Sequence, residues 1–139
     1  MKTLIGRKRG VTQIFTDNQE LVPVTVIEAG PCFVTALRGL ESDGYSAVQL
    51  GFEEAHENRL TSAERGHLRK VRLPMLRYLR EFRGVDTSEL KVGQRIDASA
   101  FSPGDRVDVT AASKGRGFAG AIKRHGFHRQ RKTHGQSDR

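Results

Sequence analysis

The sequence predicts a mainly β protein: a barrel-like body of short antiparallel strands, followed by a long basic, irregular extension that contains a short helix. Stretches rich in β-branched and aromatic residues recur at short spacing through the first half of the chain, with turn-forming residues between them. The last 27 residues carry eight cations and one acid but few large apolar side chains. Burial of so little apolar surface cannot offset the entropy of ordering that segment, so we expect it to order on a partner.

Four strands are predicted in the first half of the chain. The stretch "GVTQIFTDNQELVPVTVIEAG" alternates, breaks at Asp17-Asn18 and resumes, which predicts a hairpin with Pro23 at an edge or bulge. The stretches "CFVTALRGL" and "SAVQLGF" predict two further strands, separated by the turn-forming "ESDG". Four such strands predict a meander that curls towards a barrel.

A charged insertion is predicted around residues 53–83. Pro74 interrupts any continuous helix, so the pattern predicts a polar loop, a short helix near Ser62 to Leu68 and an extended "RYLREFR". Two short strands follow at Arg95 to Asp97 and Arg106 to Ala111, joined through the turn "SPGD". The predicted body therefore covers residues 1–112, and the basic, Gly-rich extension covers residues 113–139.

Positive charge is concentrated in that extension. The 139 residues include 24 Lys and Arg against 16 Asp and Glu, a formal net charge of +8, of which residues 113–139 carry +7. A nearly neutral body joined to a strongly cationic segment indicates a polyanionic partner. The single cysteine, Cys32, and the absence of an apolar signal-like stretch favour a reducing, cytoplasmic setting, and no apolar run is long enough to span a membrane.

Three glycines in the extension allow two interpretations. Gly115, Gly117 and Gly120 form G-x-G-x-x-G after a predicted strand, which is the context of a dinucleotide-binding fingerprint. Such a unit also needs a full crossover helix and a second parallel strand, whereas basic residues without a strand pattern follow "FAGAIKRHG". Glycine also lets a backbone approach a crowded surface while neighbouring Lys and Arg reach phosphates. We favour nucleic-acid binding and retain the dinucleotide-binding enzyme as an alternative.

No catalytic or metal site stands out in the sequence. Ser113 beside Lys114 is the nearest pair of nucleophile and base, and no catalytic signature accompanies it. Three histidines of the extension lie close together, but neighbouring arginines would repel a divalent cation and the only cysteine is distant. We expect no enzymatic activity, cofactor, metal, small-molecule substrate or membrane partner, and we expect the histidines to contact bases or phosphates.

The predicted RNA-binding residues form two groups, one in "GRKRG" near the start of the chain and one in the extension. A further basic stretch, from Arg65 to Arg83, shares their sign of charge. The residues of the two groups are Arg7, Lys8, Arg9, Ser113, Lys114, Gly115, Arg116, Gly117, Gly120, Lys123, Arg124, His125, His128, Arg129, Arg131, Lys132 and His134.

Several stretches resemble one known family. They are "LIGRKRGVTQIF", "VPVTVIEAGP", "DGYSAVQLGF", "YLREFR" and "GDRVDVTAASKGRGFAGAIKRHGF", and together they are similar to the bacterial form of large-subunit ribosomal protein L-three. The most specific part is an aromatic at Phe101, then Asp108 and Ala111, followed by the residues of the signature, which are Ser113, Gly115, Arg116, Gly117, Gly120 and Arg124. Val11 stands where the family commonly has Met, a conservative change. Family members continue beyond a stretch like "THGQSDR", so the resemblance implies that the usual C-terminal part is lacking.

The resemblance implies both a fold and a function. A β-barrel body would sit on the surface of the large ribosomal subunit, and the extension would thread through ribosomal RNA towards the peptidyl transferase region. Lys114, Arg116, Lys123 and Arg124 would contact the RNA backbone. The protein would be a cytoplasmic structural constituent of the ribosome that supports assembly and touches neighbouring ribosomal proteins. A free-standing basic nucleic-acid-binding or chaperone-like protein remains the principal alternative.

Overall fold

The computed structural model describes residues 2–85 and 87–129, which divide into two compact units between Asp105 and Arg106. The first unit contains six strands, β1 to β6, at Gly6–Phe15, Leu21–Ala29, Cys32–Arg38, Ala47–Glu54, Leu76–Arg83 and Arg95–Ile96. Its helices are α1 at Leu40–Asp43 and α2 at Ser62–Lys70, with 3-10 turns at Glu57–Arg59 and Ala98–Ala100. The second unit contains α3 at Ala121–His125. None of the described helices is long and apolar enough to cross a membrane.

β1 and β2 form the predicted antiparallel hairpin. The register runs from Gly6 opposite Ala29 to Phe15 opposite Leu21, with a bulge between Lys8 and Gly10. Pro23 lies in β2, which has no described strand partner except β1, so the prediction that this proline occupies an edge strand is confirmed. Most side chains of the hairpin are exposed, including several large apolar ones.

The other strands form one four-stranded antiparallel sheet in the order β5-β4-β3-β6. The predicted strands at "CFVTALRGL", "SAVQLGF", "RYLREFR" and Arg95 to Asp97 are therefore confirmed, as is a mainly β fold. The described strands do not close into a barrel. Closure requires every strand to have two neighbours, and the hairpin makes no strand pairing with the four-stranded sheet.

Both faces of the four-stranded sheet bury apolar side chains. One cluster comprises buried Cys32, Val34, Val48, Leu50 and Phe52, with the partly buried Leu4, Ile5, Leu37, Phe82, Val85, Leu90 and Ile96 around it. On the opposite face, Leu68 of α2 packs with Leu60 and Leu76, surrounded by Phe33, Leu73, Met75 and Leu79. Because strand side chains alternate between faces, this two-sided burial explains why every residue of β3, and every residue of β4 except Glu54, is at least partly buried.

A polar network connects α2 to the sheet. Thr35, 1% exposed, donates its hydroxyl hydrogen to the Gln49 side-chain oxygen at 2.7 Å. The same oxygen lies 2.8 Å from Nε2 of His67, so the His67 tautomer that completes the network carries its hydrogen on Nε2. The helix begins at a capping box formed by Thr61 and Glu64, and it extends through the residues predicted to be helical.

One predicted strand is wrong. Residues 106–111 are irregular and exposed, although their sequence alternates. A strand needs a neighbour that pairs with its backbone N–H and C=O groups, and within the described residues this segment makes no backbone hydrogen bond. The preceding turn is present, because the Asp105 N–H donates to the Ser102 carbonyl at 3.1 Å. The predicted boundary between body and extension at residue 113 stays a prediction.

Candidate nucleic-acid interface

The described part of the extension exposes almost every side chain. Of residues 113–129, only Ala119 is partly buried. Lys114, Arg116, Lys123 and Arg124 form no ion pair with any described residue. Arg131, Lys132 and His134 lie outside the described residues. The cations that can be described here are therefore open to an external anion.

The helix α3 orders three of the predicted contact residues. The Arg124 N–H donates to the Gly120 carbonyl at 3.0 Å, and the Gly126 N–H donates to the Ile122 carbonyl at 3.1 Å. Gly126, with φ 69°, ends the helix in the left-handed conformation that glycine adopts without a steric penalty. Lys123, Arg124 and His125 lie in the last turn, where cations interact favourably with the helix dipole.

Aromatic and apolar side chains accompany these cations. The Phe118 side chain is fully exposed, and those of Ile122 and Phe127 are more than half exposed. The ring of His125 lies 5.9 Å from that of Phe127, centroid to centroid, at an interplanar angle of 38°. Exposed rings among cations are typical of surfaces on which nucleic-acid bases stack.

The glycines of G-x-G-x-x-G differ in their backbone conformation. Gly117 has φ 65°, which disfavours any side chain. At Gly115 and Gly120 no positive φ occurs, and an added Cβ would meet no atom of the described residues beyond the chain neighbours within 4 Å. The described fold does not itself require glycine at these two positions.

The described structure lacks the elements that a dinucleotide-binding site requires around the G-x-G-x-x-G segment. The strand that should precede the fingerprint does not form at residues 106–111, and α3, which follows it, has only five residues. A crossover unit that binds a dinucleotide requires both a preceding strand and a full helix. Among the described residues, no group of three or more His, Cys, Asp or Glu side chains could hold a metal ion.

The N-terminal cations lie on β1 of the first unit, and two of them have acidic partners. Arg7 Nη1 lies 3.1 Å from Glu53 Oε1, and Arg9 Nη2 lies 2.5 Å from Glu28 Oε2. Lys8, at the bulge, has no acidic partner among the described residues. An RNA phosphate would therefore have to compete with a carboxylate at Arg7 and Arg9 but not at Lys8.

The sequence did not predict two pairs in which an arginine stacks on a tyrosine ring. The Arg83 guanidinium lies 4.5 Å from the centroid of the Tyr45 ring, and that of Arg77 lies 5.2 Å from the centroid of Tyr78. Adjacency in the chain could have suggested the second pair. No sequence signal connects Arg83 to Tyr45, because the strand pairing of β4 with β5 brings them together.

Comparison with known proteins gives consistent matches. The family model described as Ribosomal protein L3 matches residues 85–139. A protein of Herpetosiphon aurantiacus named large ribosomal subunit protein uL3 is 51% identical over 136 residues, which cover 98% of this chain and 64% of that protein. The proteins of the same name from Pelotomaculum thermopropionicum and Crocosphaera subtropica are 54% and 48% identical, covering 96% and 97% of this chain and 64% of their own length.

The chain therefore spans 64% of the length of these curated relatives. The identity extends over both units, from the hairpin to the extension, and the separate family model includes the G-x-G-x-x-G segment. About half of its residues are identical to those of these relatives across almost its whole length, so the chain is similar to proteins of the ribosomal protein L3 family.

Proposed function

We propose that this protein is a structural, non-enzymatic constituent of the large ribosomal subunit that binds ribosomal RNA through its basic extension. The observation that carries this proposal is the exposed, cationic and acid-free surface of residues 113–129 in a chain that is similar to this family. The residues proposed to contact RNA are those predicted from the sequence, with Lys114, Arg116, Lys123 and Arg124 on the phosphates. The proposed location is the ribosome in the cytoplasm, near the peptidyl transferase region.

The mechanism is neutralisation of closely packed phosphates. Each cation that contacts a phosphate releases condensed counterions, so the logarithm of the affinity falls with the logarithm of the salt concentration by about 0.7 to 0.9 per contact. The exposed Phe118 and Phe127 rings add stacking surface for unpaired bases. Selectivity arises mainly from RNA shape, because few side chains of the extension suit a base-reading code.

Sedimentation tests the proposal directly. In a lysate separated on sucrose gradients at low and then high salt, the protein should migrate with the large subunit and resist the high-salt wash. Neighbouring ribosomal proteins are proposed partners and should be recovered in the same fractions. A protein that stays at the top of the gradient but still binds RNA would instead favour the free-standing nucleic-acid-binding protein.

Substitution of two cations of α3 tests the proposed site. Lys123→Ala with Arg124→Ala should lower the salt slope of binding to a large-subunit RNA transcript by about 1.5. With the affinity extrapolated to 1 M salt unchanged, that slope corresponds to about 30-fold weaker binding at 0.1 M salt. The control is Lys123→Arg with Arg124→Lys, which keeps both charges and should keep the slope. An unchanged slope in the alanine variant would remove these residues from the phosphate contacts.

A further inference from the structure

A second concentration of positive charge lies in the first unit, in residues 57–83, which we name the α2–β5 edge. It includes α2, the connection after it and β5, which is an edge strand of the four-stranded sheet. The segment contains eight cations and three acids. Charge of one sign at an edge strand attracts polyanions, although charged edges also prevent strand pairing between chains.

The three acids of this edge are already engaged within the protein. Glu57 accepts hydrogen bonds from Arg69 at 3.0 and 3.1 Å, through both carboxylate oxygens. Glu64 accepts from the backbone N–H and the hydroxyl of Thr61, each at 2.8 Å. Glu81 Oε1 lies 3.6 Å from Arg83 Nε. The Tyr45 hydroxyl donates a hydrogen bond to Glu81, which raises the pKa of Tyr45. Only Arg69 and Arg83, of the eight cations of this edge, therefore lie within ion-pair distance of one of its three carboxylates.

Six of the eight cations form no ion pair with any described residue; they are Arg59, Arg65, Lys70, Arg72, Arg77 and Arg80. Elsewhere in the first unit the usual arrangement is different. Lys2, Arg7, Arg9 and Arg38 each lie within 4.0 Å of a carboxylate oxygen. The α2–β5 edge is therefore the part of this unit where exposed cations most exceed the acids that could neutralise them.

Arg72 adds a conformational argument. It lies in the connection between α2 and β5 with φ 55°. This is the left-handed region, which residues other than Gly and Asn disfavour. Its backbone N–H donates to the Arg69 carbonyl at 3.0 Å, but its side chain makes no hydrogen bond or ion pair with a described residue. Nothing within the described unit requires arginine at this turn.

Arginine stacking on tyrosine supplies a recognition geometry. Arg77 and Arg83 lie over the rings of Tyr78 and Tyr45, and Tyr78 is itself 39% exposed. Contact with a ring face restricts a guanidinium while the N–H groups at its edge stay available to phosphate oxygens. A planar fork of donors held in this way suits phosphate better than a lone, mobile ammonium group.

We propose that the α2–β5 edge is a second RNA-binding surface, independent of the basic extension, and that its unpaired arginines contact RNA phosphates. The inference rests on the proposed function, since it takes RNA as the polyanion. It assigns to the first unit a part in RNA binding that goes beyond the "GRKRG" cations. Two surfaces on two units would bind two RNA segments at once and gain avidity from their connection.

A matched pair of double variants tests the surface in the full chain. Arg77→Gln with Arg80→Gln removes two exposed, unpaired cations from β5. Lys91→Gln with Arg95→Gln removes two exposed cations that also lack an acidic partner within ion-pair distance among the described residues. Arg95 lies in β6, at the opposite edge of the same sheet, and Lys91 lies in the turn before it. The probe is transcribed bacterial large-subunit ribosomal RNA, and affinity is measured at several salt concentrations.

We expect the β5 variant to lower the salt slope by about 1.5 and the control variant to lower it by much less. Combination of the β5 variant with Lys123→Gln and Arg124→Gln should lower the slope by the sum of the two effects, because the two proposed surfaces share no residue and belong to different units. Equal slopes for the β5 variant and its control would overturn the inference. If the β5 variant then aggregates without losing RNA affinity, the charges serve only to protect the edge.

The same series separates the two proposals. If wild-type binding depends on salt and the α3 substitutions weaken it while the β5 substitutions do not, only the second surface is excluded. If neither wild type nor variant binds the transcript, both proposals fail together. Should the β5 variant unfold at a lower temperature, Lys70→Gln with Arg72→Gln tests the same surface from the connection outside the strand.

Discussion

Gly51 of β4 lies where side chains of the neighbouring strands β3 and β5 pack closely against its backbone. A Cβ added there would overlap Cδ1 of Leu76, and it would lie 2.9 Å from Cγ2 of Thr35 and 3.1 Å from Cδ2 of Leu79. Overpacking of a well-packed core typically costs about 1 to 3 kcal/mol. We therefore expect Gly51→Ala to lower the free energy of unfolding by that amount, as measured by urea denaturation.

Gly66 provides the matched control for this substitution. It lies within α2 and has no positive φ, and outside the helix backbone no described atom lies within 4 Å of an added Cβ. Alanine favours a helix over glycine by about 1 kcal/mol, so Gly66→Ala should raise the free energy of unfolding. If both substitutions changed stability in the same direction, the steric explanation for Gly51 would be wrong.

The acidic partners of individual arginines could not be predicted from the sequence. The composition and order of "GRKRG" predict a basic patch, but the pairing of Arg7 with Glu53 and of Arg9 with Glu28 depends on strand register and on packing of the hairpin. Glu53 is 46 residues from Arg7 in the chain. A local charge pattern shows which residues can contact phosphate but not which have already acquired an acidic partner.

Among the elements, α2 has a specific start that can be tested. The Thr61 hydroxyl accepts from the Glu64 N–H at 3.3 Å, and Glu64 accepts from the Thr61 N–H at 2.8 Å. Loss of such a cap typically costs about 1 kcal/mol, so Thr61→Ala should destabilise the protein by about that amount at pH 7 in urea unfolding. Thr61→Ser retains the hydroxyl and should behave like wild type.

This capping box also predicts a pH dependence. The two bonds from Thr61 hold the pKa of Glu64 below its ordinary value of 4.5. A carboxyl whose folded-state pKa is lowered stabilises the protein above its unfolded-state pKa and loses that contribution as the pH falls through the folded-state pKa. The difference in unfolding free energy between wild type and Thr61→Ala should therefore narrow below pH 4.5. A difference that stays constant down to pH 3 would show that Glu64 does not contribute through its charge.

The accuracy of the element predictions depended on how local the evidence was. The hairpin is predicted from alternation around a turn, and β3 and β4 from β-rich stretches separated by turn residues, all of them signals within a few neighbouring residues. Residues 106–111 alternate equally well, yet a strand is defined by its partner, and no described residue pairs with them. The order β5-β4-β3-β6 likewise brings β6 against β3, although α1, β4, α2 and β5 lie between them in the chain, and alternation alone does not specify this pairing.

At the scale of the whole molecule, charge and apolar surface divide between different parts of the chain. The extension carries cations with little apolar surface, whereas the β1–β2 hairpin exposes apolar side chains on both of its faces. Phe15, 75% exposed, lies opposite Leu21, and Ile14 lies opposite Val22 on the other face. A two-stranded hairpin with a hydrophobic surface normally needs a further strand or a packed element to be stable.

Such a surface predicts self-association of the free protein. Contiguous exposed apolar side chains on strands with open edges favour association between chains. Phe15→Lys with Leu21→Lys replaces one directly opposed pair and should reduce the weight-average mass measured by sedimentation equilibrium at micromolar concentrations. Leu40→Lys with Val92→Lys adds the same charge at two scattered exposed positions. This pair should give a higher weight-average mass than the Phe15 and Leu21 pair. Equal effects of both pairs would mean that added charge, and not loss of the hairpin's apolar surface, prevents association; a monomeric wild type would refute the prediction outright.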